Sequence, residues 1–235
     1  MAKKNKEISS SNLIKVKPIT EGQKSVFETW KKGQNQFLFG CAGTGKTFIS
    51  LYLAMQDVLD LKTKYDKVIL VCSLIPTREI GFLPGDEEDK AALYQVPYQN
   101  MVKFMFEQPN EQAFNMLYDR LKNQGSLYFL STSFLRGLTF DNSIIIVDEC
   151  QNLNFHELDT ITTRVGQDSK IVFCGDFSQT DLLKQNEKNG LHDFLRILME
   201  MQEFNCIEFN IGDIVRSGFV RNYLIQKTKL GMGME

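Results

Sequence analysis

Short apolar runs alternate with longer amphipathic stretches along most of the chain. Six runs are apolar through most of their length and bounded by polar residues or glycine: Gln36–Gly40, Lys67–Leu74, Ser126–Ser131, Ser143–Val147, Lys170–Gly175 and Cys206–Ile211. That is the pattern of strands buried on both faces. Between them, helical periodicity covers Phe48–Leu61, Tyr94–Lys122 with breaks near Pro97 and Pro109, Phe155–Val165 and Gly190–Glu203. Regular alternation of the two predicts an α/β fold, a mostly parallel sheet with helices on both faces. The Pro/Gly-dense stretch Pro76–Lys90 reads as a long loop of the kind that is usually functional.

Composition narrows the class. With 43% hydrophobic and 24% charged residues, the 235-residue chain reads as globular. Its net charge of −2 offers no global attraction for polyanions, so any such surface has to be local. The polar, basic Met1–Asn12 is expected to be a mobile tail, leaving 13–235 as one domain. That tail lacks the apolar segment of a signal peptide, and no run approaches a membrane span, so the expected location is the cytoplasm, away from membranes. Five cysteines without CxxC spacing and two isolated histidines read as core and surface residues rather than a zinc site.

One stretch carries distinct chemistry. Gly40-Cys41-Ala42-Gly43-Thr44-Gly45-Lys46-Thr47 follows a predicted strand and opens a predicted helix. Glycines let backbone N–H groups wrap an anion, and the following helix turns its positive end toward it. Lys46 adds a point charge for the outer phosphates of a nucleotide, and the Thr47 hydroxyl suits Mg2+. This is a P-loop, and it calls for a nucleoside triphosphate, read here as ATP.

Two further strand ends fit beside it. Ser143–Val147 ends in Asp148-Glu149. On a strand beside the P-loop strand, Asp148 can reach the magnesium shell and Glu149 can orient or deprotonate the attacking water. Lys170–Gly175 runs into Asp176 and Gln179; the first is readable as a turn, and the second as a hydrogen-bond partner of the γ-phosphate or of the water.

Several segments together resemble a known family. Asp148–Gln151 (DECQ) and Gly175–Gln179 (GDFSQ) resemble motifs of superfamily 1 helicases, and Pro18–Glu28 is similar to their adenine-reading segment, with Gln23 in the key place. GFLPGD at Gly81–Asp86, Phe134–Asn152, Thr163–Leu182 and DIVRSGFV at Asp213–Val220 resemble the PhoH family of P-loop ATPases in family order. The resemblance implies a RecA-like core with Mg-dependent ATPase activity, relatives in phages, and an association with RNA metabolism. It also implies helicase-like remodelling of RNA or single-stranded DNA, with Arg216 reaching the γ-phosphate or standing as a surface residue.

A single RecA-like domain leaves the γ-phosphate half enclosed, and an arginine at that phosphate is worth about 10³–10⁵ in rate. The expectation is therefore a homo-oligomer, a hexameric ring with ATP at the subunit junctions and Arg78 or Arg136 acting across them. Lys103, Phe104 and Lys184–Lys188 are candidates for contact with nucleic acid, or else a solvated face. The alternative function is an ATP-binding switch that hydrolyses slowly and acts through a protein partner.

Overall fold

The computed structural model describes residues 6–72, 87–132, 135, 137–176 and 190–230. Six strands form one sheet: β1 (Asn35–Gly40), β2 (Lys67–Cys72), β3 (Leu127–Ser131), β4 (Ser143–Val147), β5 (Lys170–Gly175) and β6 (Phe204–Phe209). Their order is β3-β2-β4-β5-β1-β6, and every pairing is parallel. The central strands β4 and β5 are buried throughout, whereas the edge strands β3 and β6 carry exposed positions. This is the α/β architecture that the alternation of runs predicts.

Alternate residues of each strand feed opposite cores. Leu38, Val68, Leu70, Ile144, Ile146 and Val172 pack against α1 (Glu21–Lys31), α2 (Lys46–Leu59), α3 (Glu87–Phe106) and α4 (Glu111–Asn123). Phe37, Phe39, Ile69, Ile145, Val147 and Phe173 pack against α5 (Phe155–Thr162) and α6 (Leu191–Glu200). A last helix, α7 (Gly218–Lys229), follows the β6 end. Caps set several starts: Thr20 accepts from the Gln23 amide, Asn110 from Ala113, and Asn154 from Glu157. No helix among the described residues is long and apolar enough to cross a membrane.

Some details differ from the sequence reading. Helix α1 lies in the segment read above only for its adenine-reading resemblance, and its buried residues, Gly22, Gln23, Val26, Thr29 and Trp30, share one face. Helix α3 runs through Pro97 instead of breaking there, while the break at Pro109 is present between α3 and α4. The last strand lies two residues earlier than expected, since Asn210 already turns the chain by accepting from the Gly212 amide. In the N-terminal stretch expected to be a mobile tail, Lys6 donates to the Val58 and Asp66 carbonyls and Ile8 is buried.

Candidate functional site

In a parallel sheet all strands end on one side, and ligands sit in the crevice beyond those carboxyl ends. Here that side gathers the loop after β1, the carboxylates after β4, Asp176 after β5 and the segment after β6. The loop itself depends on glycine geometry. Gly40, Gly43 and Gly45 all have positive φ, and a Cβ on Gly40 would lie 2.0 Å from the Phe209 carbonyl oxygen. The loop ends at Lys46, the first residue of α2, whose free backbone N–H groups face the loop.

Lys46 is buried and folded back onto the loop. Its ammonium donates to the carbonyls of Gly40 (3.3 Å) and Cys41 (2.8 Å) and pairs with Asp176 at 2.7 Å. Thr47, one residue on, donates its hydroxyl to Asp148 Oδ1 at 2.7 Å. That bond spans more than neighbouring strands: β5 lies between β1 and β4, which corrects the expectation that the Asp148 strand adjoins the P-loop strand. The first turn of α2 bridges the gap.

Asp148 has its second oxygen taken as well. Tyr98, on α3 directly after Pro97, donates its hydroxyl to Oδ2 at 2.9 Å. Burial pushes the Asp148 carboxyl above the usual carboxylate range, and the Thr47 and Tyr98 hydroxyls oppose that rise. Glu149 stands in the left-handed region at φ 51, an uncommon conformation for this residue type. Burial first, then the neighbouring charges of Asp148 and Asp176, raise its carboxyl too. Gln151 joins the two strand ends, donating to Glu149 and accepting from the Asp176 amide at 3.1 Å. Protein groups thus form one connected set from Tyr98 through Asp148 and Thr47, beside another from Glu149 through Gln151 and Asp176 to Lys46.

Gln23 lies at the other side of the loop. It is buried, donating to the Thr44 carbonyl at 3.0 Å and accepting from the Ile19 amide at 2.9 Å, so both ends of its side-chain amide hold the loop in place. Arg216 is exposed, yet its side chain stands over the loop, with Cγ 3.0 Å from where a Cβ on Gly43 would be. The Val215 amide donates to the Gly43 carbonyl at 3.0 Å. Lys103 is paired with Glu111, and Phe104 is exposed and edge-on to Phe48. Gln179, Arg78, Arg136 and Lys184–Lys188 lie outside the described residues.

The sequence reading missed Tyr98, the role of Gln151, and Asp176 as the partner of Lys46. Asp176 carries the same signal as Asp148, an acid directly after a buried strand. Gln151 sits inside the quoted DECQ. Tyr98 carries no such signal, since it follows a proline read as a helix break.

Comparison with known proteins agrees with this geometry. A sequence model described as PhoH-like protein matches residues 15–226. The chain is 31% identical over 207 residues to the PhoH-like protein of Synechocystis sp., covering 88% of this chain and 60% of that protein. It is 30% identical over 206 residues to Protein PhoH of Escherichia coli K12, covering 87% of this chain and 56% of that one. The chain therefore spans somewhat over half the length of these curated relatives. Among solved structures, the large terminase of a thermophilic bacteriophage superposes with a TM-score of 0.52 at 12% identity, over 90% of this chain and 50% of that chain. Identity that low speaks for the fold alone, a P-loop core of the RecA-like kind. A family match from residue 15 to residue 226, carried by relatives that align along nearly the whole chain, makes this protein a member of the PhoH-like family.

Proposed function

We propose that the chain is a Mg2+-dependent ATPase that works as a ring-shaped homo-oligomer, a hexamer, remodelling RNA or single-stranded DNA. One observation carries the ATPase reading: the Thr47 hydroxyl meets Asp148 at 2.7 Å across an intervening strand, with Lys46 and Glu149 next to them in sequence. Thr47 and Asp148 form an all-oxygen pair of the hard type Mg2+ prefers alongside water and phosphate oxygens, so they fit as its holders. The metal would supply neutralisation of charge on the β- and γ-phosphate oxygens.

The remaining roles belong to the chain. The backbone of Gly40–Gly45 and the α2 N-terminus bind the phosphates. Lys46 leaves Asp176 and the loop carbonyls for the triphosphate, an exchange of one anionic partner for another. Glu149 accepts the proton of the attacking water, helped by a carboxyl already raised by burial. Arg216, whose side chain stands over Gly43, is the arginine assigned to the γ-phosphate, and Gln179 orients the water. Gln23 reads adenine only by giving up one of its two present contacts.

Purified protein tests the reading directly. K46A loses binding of a fluorescent ATP analogue. E149Q keeps that binding and loses turnover by about 10²–10⁴-fold, the size of a general-base contribution. Equal loss of binding and turnover in E149Q would refute the role given to Glu149. Single-stranded nucleic acid raises hydrolysis by wild type, and light scattering shows an oligomer. Slow hydrolysis indifferent to RNA and DNA favours the switch instead.

A further inference from the structure

Helix α7 holds no buried residue. Its inner side meets the phosphate-binding loop: Leu224 Cδ1 lies 3.0 Å from a Cβ position on Gly43, and Thr228 shares a side-chain hydrogen bond with Cys41. Its outer side shows two aromatic rings one turn apart. Phe219 is 83% exposed and Tyr223 58% exposed, and the rings are nearly parallel, tilted by 25° with centroids 6.5 Å apart. Rings left this open cost hydration free energy in the absence of an occupant.

Charge says what kind of occupant fits. From Ile214 to Leu230 the chain carries Arg216, Arg221, Lys227 and Lys229 and no acidic residue, within a protein of net charge −2. Asp213, just before, is buried and accepts from the Gly22 and Asn210 amides, so its charge is turned inward. Of these, Lys227 and Lys229 border the two rings, and two cations without an acid make the face self-repelling against the same face of a second copy, which a two-fold contact requires. Cations next to open π faces match a phosphate backbone whose bases are unstacked.

We infer that the outward face of α7, the i, i+4, i+8 row of Phe219, Tyr223 and Lys227 with Lys229 on its flank, is a docking surface for single-stranded nucleic acid. The inference deepens the proposed function by naming where its substrate sits, and it rests on that reading. It also differs from the Phe104 and Lys103 surface, where the lysine is already paired with Glu111. The bases stack on the two rings and the phosphates lie along the cations. Leu224 and Thr228 put this surface one helix thickness from the nucleotide loop.

Fluorescence anisotropy with labelled oligo(dT) and oligo(U) of about 20 nucleotides, across a range of salt, tests it on the full chain. F219A/Y223A weakens binding at least about tenfold, since each stacked base is worth a measurable step in affinity. K227Q/K229Q lowers the slope of log affinity against log salt by about 1.4, two lost single-strand phosphate contacts. Both variants bind the ATP analogue as wild type does, which shows that the fold and the loop are intact. A preference between the two oligomers assigns the natural strand to DNA or RNA. If both variants bind the oligomers like wild type, the surface is wrong while the motor reading stands. If wild type binds neither oligomer, surface and motor fall together, and unchanged ATP-analogue binding shows the nucleotide site outliving them. Variants that keep oligomer affinity but dissociate in sedimentation give the face to a second copy, which overturns the proposal.

Discussion

Both oxygens of Asp148 are committed to hydroxyls from separate elements, Thr47 on α2 and Tyr98 on α3. A buried carboxylate stripped of one donor keeps its desolvation cost and loses the compensation, typically about 1.5–3 kcal/mol for a hydrogen bond to a charged group. Y98F should therefore lower stability in a urea titration by about 2 kcal/mol. In a D148A background the same change should cost little, because the partner is gone. An equal loss in both backgrounds would mean that the Tyr98 hydroxyl acts through a partner other than Asp148, such as the Cys72 thiol. Residues of the phosphate loop, Asp148 and Glu149 were legible because each announces itself by type and spacing. Tyr98 was not, since a tyrosine on a helix looks like core until the sheet carries Asp148 beneath it.

At the scale of elements, β1 and β6 meet at Gly40. There φ is +119° and a side-chain carbon would stand 2.0 Å from the Phe209 carbonyl oxygen. No flexible side chain can yield at that point, because the obstacle is backbone. G40A should destabilise the protein by about 3 kcal/mol or more in chemical denaturation, combining strain at positive φ with a steric clash. A loss below about 1 kcal/mol would show that the two strands separate easily. The glycine pattern was visible in the sequence as a phosphate loop, but its second duty, allowing the β6 carbonyl to approach, was not. Strands were easier to read than helices for a physical reason. Burial on both faces leaves an unbroken apolar run, whereas α1 buries Gln23 and Thr29 against polar partners, so its inner face is not written in apolar residues alone.

Across the whole molecule, the far end of the sheet from the site holds a buried cation. Lys170, 2% exposed at the start of β5, donates to the Trp30 carbonyl at 3.2 Å, with its ammonium 4.0 Å from the centre of the Trp30 ring. Burial lowers its pKa from 10.5 to about 8, with the Asp57 charge opposing. Between those two values the unfolded chain holds a proton that the folded chain has released. Stability associated with this group is thus fully present above 10.5 and is lost as pH falls through about 8. The stability of wild type relative to K170M should rise with pH across this window, by up to about 1.4 kcal/mol per pH unit. A pH-independent difference would mean that Lys170 stays protonated throughout, stabilised by the Trp30 ring and carbonyl.

Local chemistry along the chain was enough to name the strands, the phosphate loop, the acid pair and the family resemblance. Each of these depends on residue type at short spacing: glycine for backbone freedom, apolar runs for two-sided burial, oxygen donors beside a strand end. Strand order could not be read that way, and it placed β5 between the loop and Asp148. The partners assembled from distant segments, Lys46 with Asp176, Tyr98 with Asp148, and α7 with Cys41 and Gly43, exist only once the sheet is folded. Pairing over such separations is decided by which surfaces pack together, and no spacing in the chain encodes it directly.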